Sequence, residues 1–185
     1  MSQIRGKYNN APISVGNGVQ TEAQFSSKGI LKTTTGDPAS VTVTHTLDTS
    51  AYASGDLIAD TQAIAGATDV QGGYCRLDSV TILDEDDQGV ALWLVFSSAS
   101  TSFGTENSAP NISDANARNV LGAVPITTTD YVDIGGAKVA CLRNIGLTMK
   151  AASSSTTLYV AIVNSTGTPT YTATGLQATY TFSQF

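Results

Sequence analysis

The sequence predicts an all-β chain: a β-sandwich, jelly-roll-like, with an extended N-terminal arm. Three observations carry this expectation. From residue 41 onward apolar and polar residues alternate with period two, as half-buried strands require. Turn-forming pairs such as Ser54-Gly55, Gly72-Gly73, Gln88-Gly89, Gly135-Gly136 and Thr166-Gly167 punctuate those runs. Helical periodicity is nearly absent, and about eight short strands at this spacing suit a sandwich or barrel, most simply a jelly roll.

Taken in order, residues 1–40 read as an arm with edge strands, and residues 41–185 as the sandwich. Met1–Gly18 carries Gly and Pro with few paired apolar positions, so an extended arm is expected there. Val19–Thr35 reads as one or two edge strands. In Val41–Leu47, Val41, Val43, His45 and Leu47 share one face and Thr42, Thr44 and Thr46 the other. Leu77–Leu83 places Val80 and Ile82 together. Val90–Ser97 is apolar on both faces, with Leu92, Leu94 and Phe96 opposite Ala91, Trp93 and Val95. That pattern predicts a central strand covered on both sides. Val120–Ile126, Lys138–Leu142 and Asn144–Met149 are weaker strands. Thr157–Val163 and Leu176–Phe182 alternate cleanly and close the domain. One short helix is expected at Ser113–Asn119, with Ser113 capping the N–H of Ala115 or Asn116.

The composition narrows the function. Nine Lys+Arg against fifteen Asp+Glu leave a net charge of −6 and a pI near 4.4. Scattered basic residues cannot displace counterions from a phosphate backbone, so no nucleic-acid partner is expected. The longest apolar run, Val90–Phe96, is far short of the ~18 residues of a membrane span, and no apolar stretch follows the charged start as a secretory signal would. No membrane partner is expected. Charged residues make up 13% of the chain, about half the ~25% usual for a globular domain, while 26 Thr and 19 Ser supply hydroxyls. A surface poor in charge and rich in Thr, Ser, Gly and Ala suits close protein–protein contact and oligomerisation.

No catalytic constellation emerges, and the expectation is a protein that is not an enzyme, without cofactor or metal. Cys75 and Cys141 lack a CxxC partner or a neighbouring His, and zinc needs about four ligands. A disulfide between them stays open; two buried or half-buried thiols in a reducing compartment is the plainer reading. His45, the single histidine, falls in register with core positions and reads as a satisfied, partly buried imidazole rather than a base. Asp84-Glu85-Asp86-Asp87 offers carboxylates to a hard cation but lacks the full calcium-loop spacing, so a solvated turn is the simpler assignment. A glycosidase pair could come from Asp48, Asp56, Asp60, Asp69, Asp78 or Glu106, but spacing selects none.

Four stretches in order carry a family likeness: Leu47–Asp60 (LDTSAYASGDLIAD), Gly73–Ser97 (GYCRLDSVTILDEDDQGVALWLVFS), Asn111–Ile126 (NISDANARNVLGAVPI) and Thr157–Phe182. Together they resemble small β-rich virion structural proteins of tailed bacteriophages, the head decoration or cement proteins. The resemblance covers residues 41–185 and leaves out the arm. It implies a jelly-roll protein, commonly a trimer, that is made in the host cytoplasm, sits on the capsid surface and bridges subunits of the major capsid protein. It carries no catalytic residues. An alternative is a receptor- or glycan-binding module of a tail, fibre or neck, using loops such as Ser98–Ala109; it predicts exposed aromatics on long loops, and only Phe103 qualifies there, which counts against it. Within the arm, Ile4, Arg5, Tyr8 and Ile13 are the expected assembly contacts, being long or apolar side chains in a loose segment.

Overall fold

A computed structural model describes residues 37–185. The expected arm, with Ile4, Arg5, Tyr8 and Ile13, lies outside the described residues. Two antiparallel sheets face each other. Strands β1 (Asp37–Thr44), β9 (Leu176–Gln184), β3 (Tyr74–Asp84), β7 (Lys138–Lys150) and β6 (Tyr131–Asp133) form the first, in that spatial order. Strands β2 (Leu57–Ile64), β8 (Leu158–Asn164), β4 (Leu92–Ser97) and β5 (Val120–Ile126) form the second.

The pairing is nested. β1 lies on β9, β2 on β8, β3 on β7 and β4 on β5, with β9 also on β3 and β8 also on β4. A long antiparallel ribbon rolled on itself produces this order, with β6 as a short addition, and it is the jelly-roll arrangement the sequence predicts. The core lies between the sheets. Leu77, Val80 and Ile82 of β3 and Ala178, Tyr180 and Phe182 of β9 face Leu92, Leu94 and Phe96 of β4 and Val160 and Ile162 of β8, all buried. Phe96 and Tyr180 meet edge to face across the gap, ring centres 5.9 Å apart.

Several elements differ from the sequence reading. β1 starts at Asp37, ahead of the alternating run. Lys138–Leu142 and Asn144–Met149 are one strand, kinked where Asn144 and Gly146 take positive φ of 58° and 72° beside a register shift. β2 is an additional strand; three consecutive buried residues, Leu57, Ile58 and Ala59, open it, and shifts interrupt its pairing with β8, so it lacks a period-two signature. The helix stands as Asp114–Ala117, where Ser113 Oγ accepts from Asn116 N. β4 is central as expected, yet its second face is not fully covered: Trp93 is 43% exposed.

Candidate interaction surface

The outward side of the five-stranded sheet is built by the same alternation that builds the core. Where Val41, Val43, Ala178 and Tyr180 point in, the residues between them point out, and these are mostly hydroxyls. Register aligns them in rows. One row runs Thr42, Thr179, Thr81, Cys141 across β1, β9, β3 and β7. A second runs Ser40, Thr181, Ser79, Arg143, and a third Thr44, Gln177, Leu83, Val139. At about 4.8 Å per strand, each row is roughly 15 Å long.

Side chains within the rows satisfy one another. Thr42 and Thr179 hydroxyls are 2.9 Å apart, Gln177 Nε2 donates to Thr44 Oγ1 at 3.0 Å, and Thr81 Oγ1 donates to Cys141 Sγ at 3.6 Å. Charge is sparse: at one end Arg76 Nε pairs with Asp78 Oδ1 at 2.8 Å and Ser183 Oγ donates to the other carboxylate oxygen, and Arg143 ends the second row on β7. Ser183 first, and Arg76 after it, hold the Asp78 carboxyl below its usual range. Such a face meets another protein with few ions to strip of water, and ion desolvation is the main cost of charged contacts.

The outward side of the four-stranded sheet is different. Leu57, Val163, Trp93 and Pro125 form one row in register, and Ala161, Val95 and Ala123 the next. The β4–β5 connection folds back over part of it. Phe103 packs there with Leu57 and Ala161, beside Val95, Ile112 and Val163. Phe103 is therefore buried, 6% exposed, and is not the exposed loop aromatic that a binding module would present. The loop is held by Asp60, whose Oδ1 accepts from Phe103 N at 2.8 Å, and by Glu106, which accepts from Asp60 N at 3.1 Å. Both of these glycosidase candidates accept from backbone N–H groups and hold the loop in place.

The acidic loop is only in part the solvated turn expected: Glu85 and Asp87 are exposed, while Asp84 and Asp86 hold backbone groups. Asp84 is fully buried and accepts from Asp86 N and Gly89 N at 3.2 and 2.7 Å. Burial pushes its carboxyl up, while the backbone N–H groups of Gly89, Gln88 and Asp86 oppose that shift. Asp86 Oδ2 accepts from Thr172 N and Oγ1 at 2.7 and 3.0 Å, and Lys138 Nζ reaches Asp87 at 3.2 Å. The carboxylates latch the β3–β4 turn to the β8–β9 loop. Among the described residues no three His, Cys, Asp or Glu side chains converge as a metal site.

His45 is buried completely and is only half satisfied, against the expected satisfied, partly buried imidazole: its Nε2 lies 3.2 Å from Tyr180 Oη, while Nδ1 has no hydrogen-bond partner among the described residues. Burial drives its pKa from 6.5 down to about 4, with the Gln62 side chain acting in the opposite sense. The two thiols are free and part company: Cys75 faces the core, where burial pushes it up to about 11, while Cys141 is exposed. Exposure of Cys141 departs from the expected half-buried thiol; Arg143 is the main reason its pKa lies below the ordinary value.

No protein-family model matches the chain, and no curated protein matches it. Among solved structures, "Structure of infectious bursal disease virus Gx strain" matches at 9% identity and a TM-score of 0.22, over 93% of this chain and 45% of that one. "Crystal structure of infectious bursal disease virus VP2 subviral particle" matches at 11% and 0.20, over 95% and 46%. The chain spans less than half the length of those proteins, and overlap at such scores carries no argument about its role.

Proposed function

We propose that this chain is a non-enzymatic virion structural protein that decorates a bacteriophage capsid and stabilises it by bridging subunits of the major capsid protein. The observation that supports this reading best is the hydroxyl-bearing outer face of the five-stranded sheet, with several of its side chains paired among themselves and few charges, the Arg76–Asp78 pair and Arg143. A decoration protein needs a face that docks on a repeating protein surface and exchanges hydrogen bonds at little desolvation cost. The jelly-roll order and the sequence resemblance point the same way.

In this reading the sandwich is a rigid body, and the work is mechanical. Each copy contacts more than one capsid subunit, so pulling subunits apart requires breaking its contacts as well. Many weak contacts around a lattice add up because each bound copy holds its neighbours at high effective concentration. The protein works as a homo-oligomer, trimeric by the resemblance, on the outer surface of the virion after synthesis in the host cytoplasm. Ile4, Arg5, Tyr8 and Ile13 supply further contacts to the capsid. Deleting residues 1–18 tests that part: the sandwich should melt unchanged while incorporation into heads is lost. Heads lacking the whole protein that withstand heat as well as complete heads overturn the stabilising role.

A further inference from the structure

Each sheet has two edges, and three of the four are blocked against strand addition. β5 carries Pro125, which has no N–H to offer. The edge of β2 is occupied by the β4–β5 loop: Leu57 N donates to Ser108 O, Asn107 N to Leu57 O and Asp60 N to Glu106. On the far side of the first sheet β6 is three residues long, and the stretch of β7 beyond it is kinked at Asn144 and Gly146.

Among the described residues the fourth edge, β1, is open beyond Pro38. His45 N donates to Leu176 O on β9, and the β1–β9 register is unbroken from Asp37 to Thr44. In an antiparallel ladder the alternate residues point the other way, so the backbone N–H and C=O of Ser40, Thr42 and Thr44 face outward. Among the described residues they have no partner. The open stretch has defined ends: Pro38 lacks an N–H, and Thr46 is capped by the Gln62 amide, which accepts from Thr46 N at 3.3 Å and donates to Thr46 O at 3.1 Å. No charged residue lies between Pro38 and Leu47, and Val41 and Val43 are half-buried there.

We propose that β1 pairs with β1 of a second copy of this chain, antiparallel about a two-fold axis at Thr42, joining two five-stranded sheets into one. The strand is its own complement. With Thr42 opposite its symmetry mate and Ser40 opposite Thr44, each outward N–H meets an outward C=O, and no like charges are brought together. The Thr42–Thr179–Thr81 row continues across the axis into the second copy, and Val41 and Val43 gain cover from their counterparts. A contact confined to one short strand buries less than the ~800 Å² per partner of a standard interface, so the association is concentration-dependent. The pairing stands independently of capsid binding. If three-fold contacts exist as well, it links one trimer to the next.

The test is the solution mass of the full-length protein by light scattering over a concentration series. Wild type should rise to twice the 19.1 kDa chain, or to an even multiple of it. Thr42→Pro removes one outward N–H and leaves the bonds to β9, so it should halve that mass with the circular dichroism spectrum unchanged. Thr42→Lys and Thr42→Glu, each placing like charges across the axis, should each halve it too. Mixing those two should restore it. Wild type that stays monomeric, or an assembly that all three variants leave intact, overturns the proposal; so does a Lys/Glu mixture that fails to reassociate.

Discussion

The two outer faces of this sandwich are built on the same strand geometry and put to different uses. On the five-stranded sheet the outward positions are mostly Thr, Ser and Gln, several of them paired side chain to side chain, with Leu83, Val139, Cys141 and Arg143 toward β7. On the four-stranded sheet they are Trp93, Val95, Ala123, Pro125 and Ala161, and the β4–β5 loop folds back to lay Phe103 over part of them. Apolar surface has to be covered, by the chain itself or by a partner, whereas a hydroxyl face can stay wet until a partner arrives. The difference separates a region that contributes stability from one available for docking.

The comparison breaks first at Phe103. Phe103→Ala removes the cover and uncovers Leu57 and Ala161, and should cost about 3 kcal/mol in a urea titration. A cost below about 0.5 kcal/mol would mean the loop merely rests on the sheet. A similar sum is held inside, beneath β1. His45 has a folded pKa of about 4 against 6.5 when unfolded, so the folded state binds fewer protons. Its contribution is whole above about pH 6.5 and is lost as pH falls from there toward 4, by up to about 3 kcal/mol. Urea midpoints between pH 7 and 4 check this; His45→Gln should flatten the slope, and an unchanged slope assigns it to other groups.

Next in size, Glu106→Ala should cost about 1 kcal/mol, because Asp60 N loses its acceptor at the rim of the covered face. Smallest of all, Thr179→Val on the hydroxyl face should lie within about 0.5 kcal/mol of wild type in stability. The same substitution should weaken binding to heads. A substantial loss of stability there would mean that the hydroxyl pair Thr42–Thr179 belongs to the fold and not to docking.

Much of this architecture was legible from residue types. β1, β3, β4, β8 and β9 alternate visibly, and His45 declared its burial by falling in register with Val41, Val43 and Leu47. β2 was not legible, because its run of buried residues and its bulges hide the period. Nor were Phe103 and Asp84. Phe103 is buried because its own loop folds back onto β2 and β8, and Asp84 because its own turn wraps around it, and no local pattern encodes such cover. The hydroxyl face was half legible: Thr enrichment was plain, but the rows exist only once β1, β9, β3 and β7 are set side by side.

The most direct test of the central claim is to add purified full-length protein to phage heads that lack it and follow their heat-induced disruption. The account predicts stoichiometric binding by co-sedimentation and a higher disruption temperature, both diminished by substitutions at Thr179 and Thr81. Heads that bind none of it, or bind it and fall apart at the same temperature, would contradict the account.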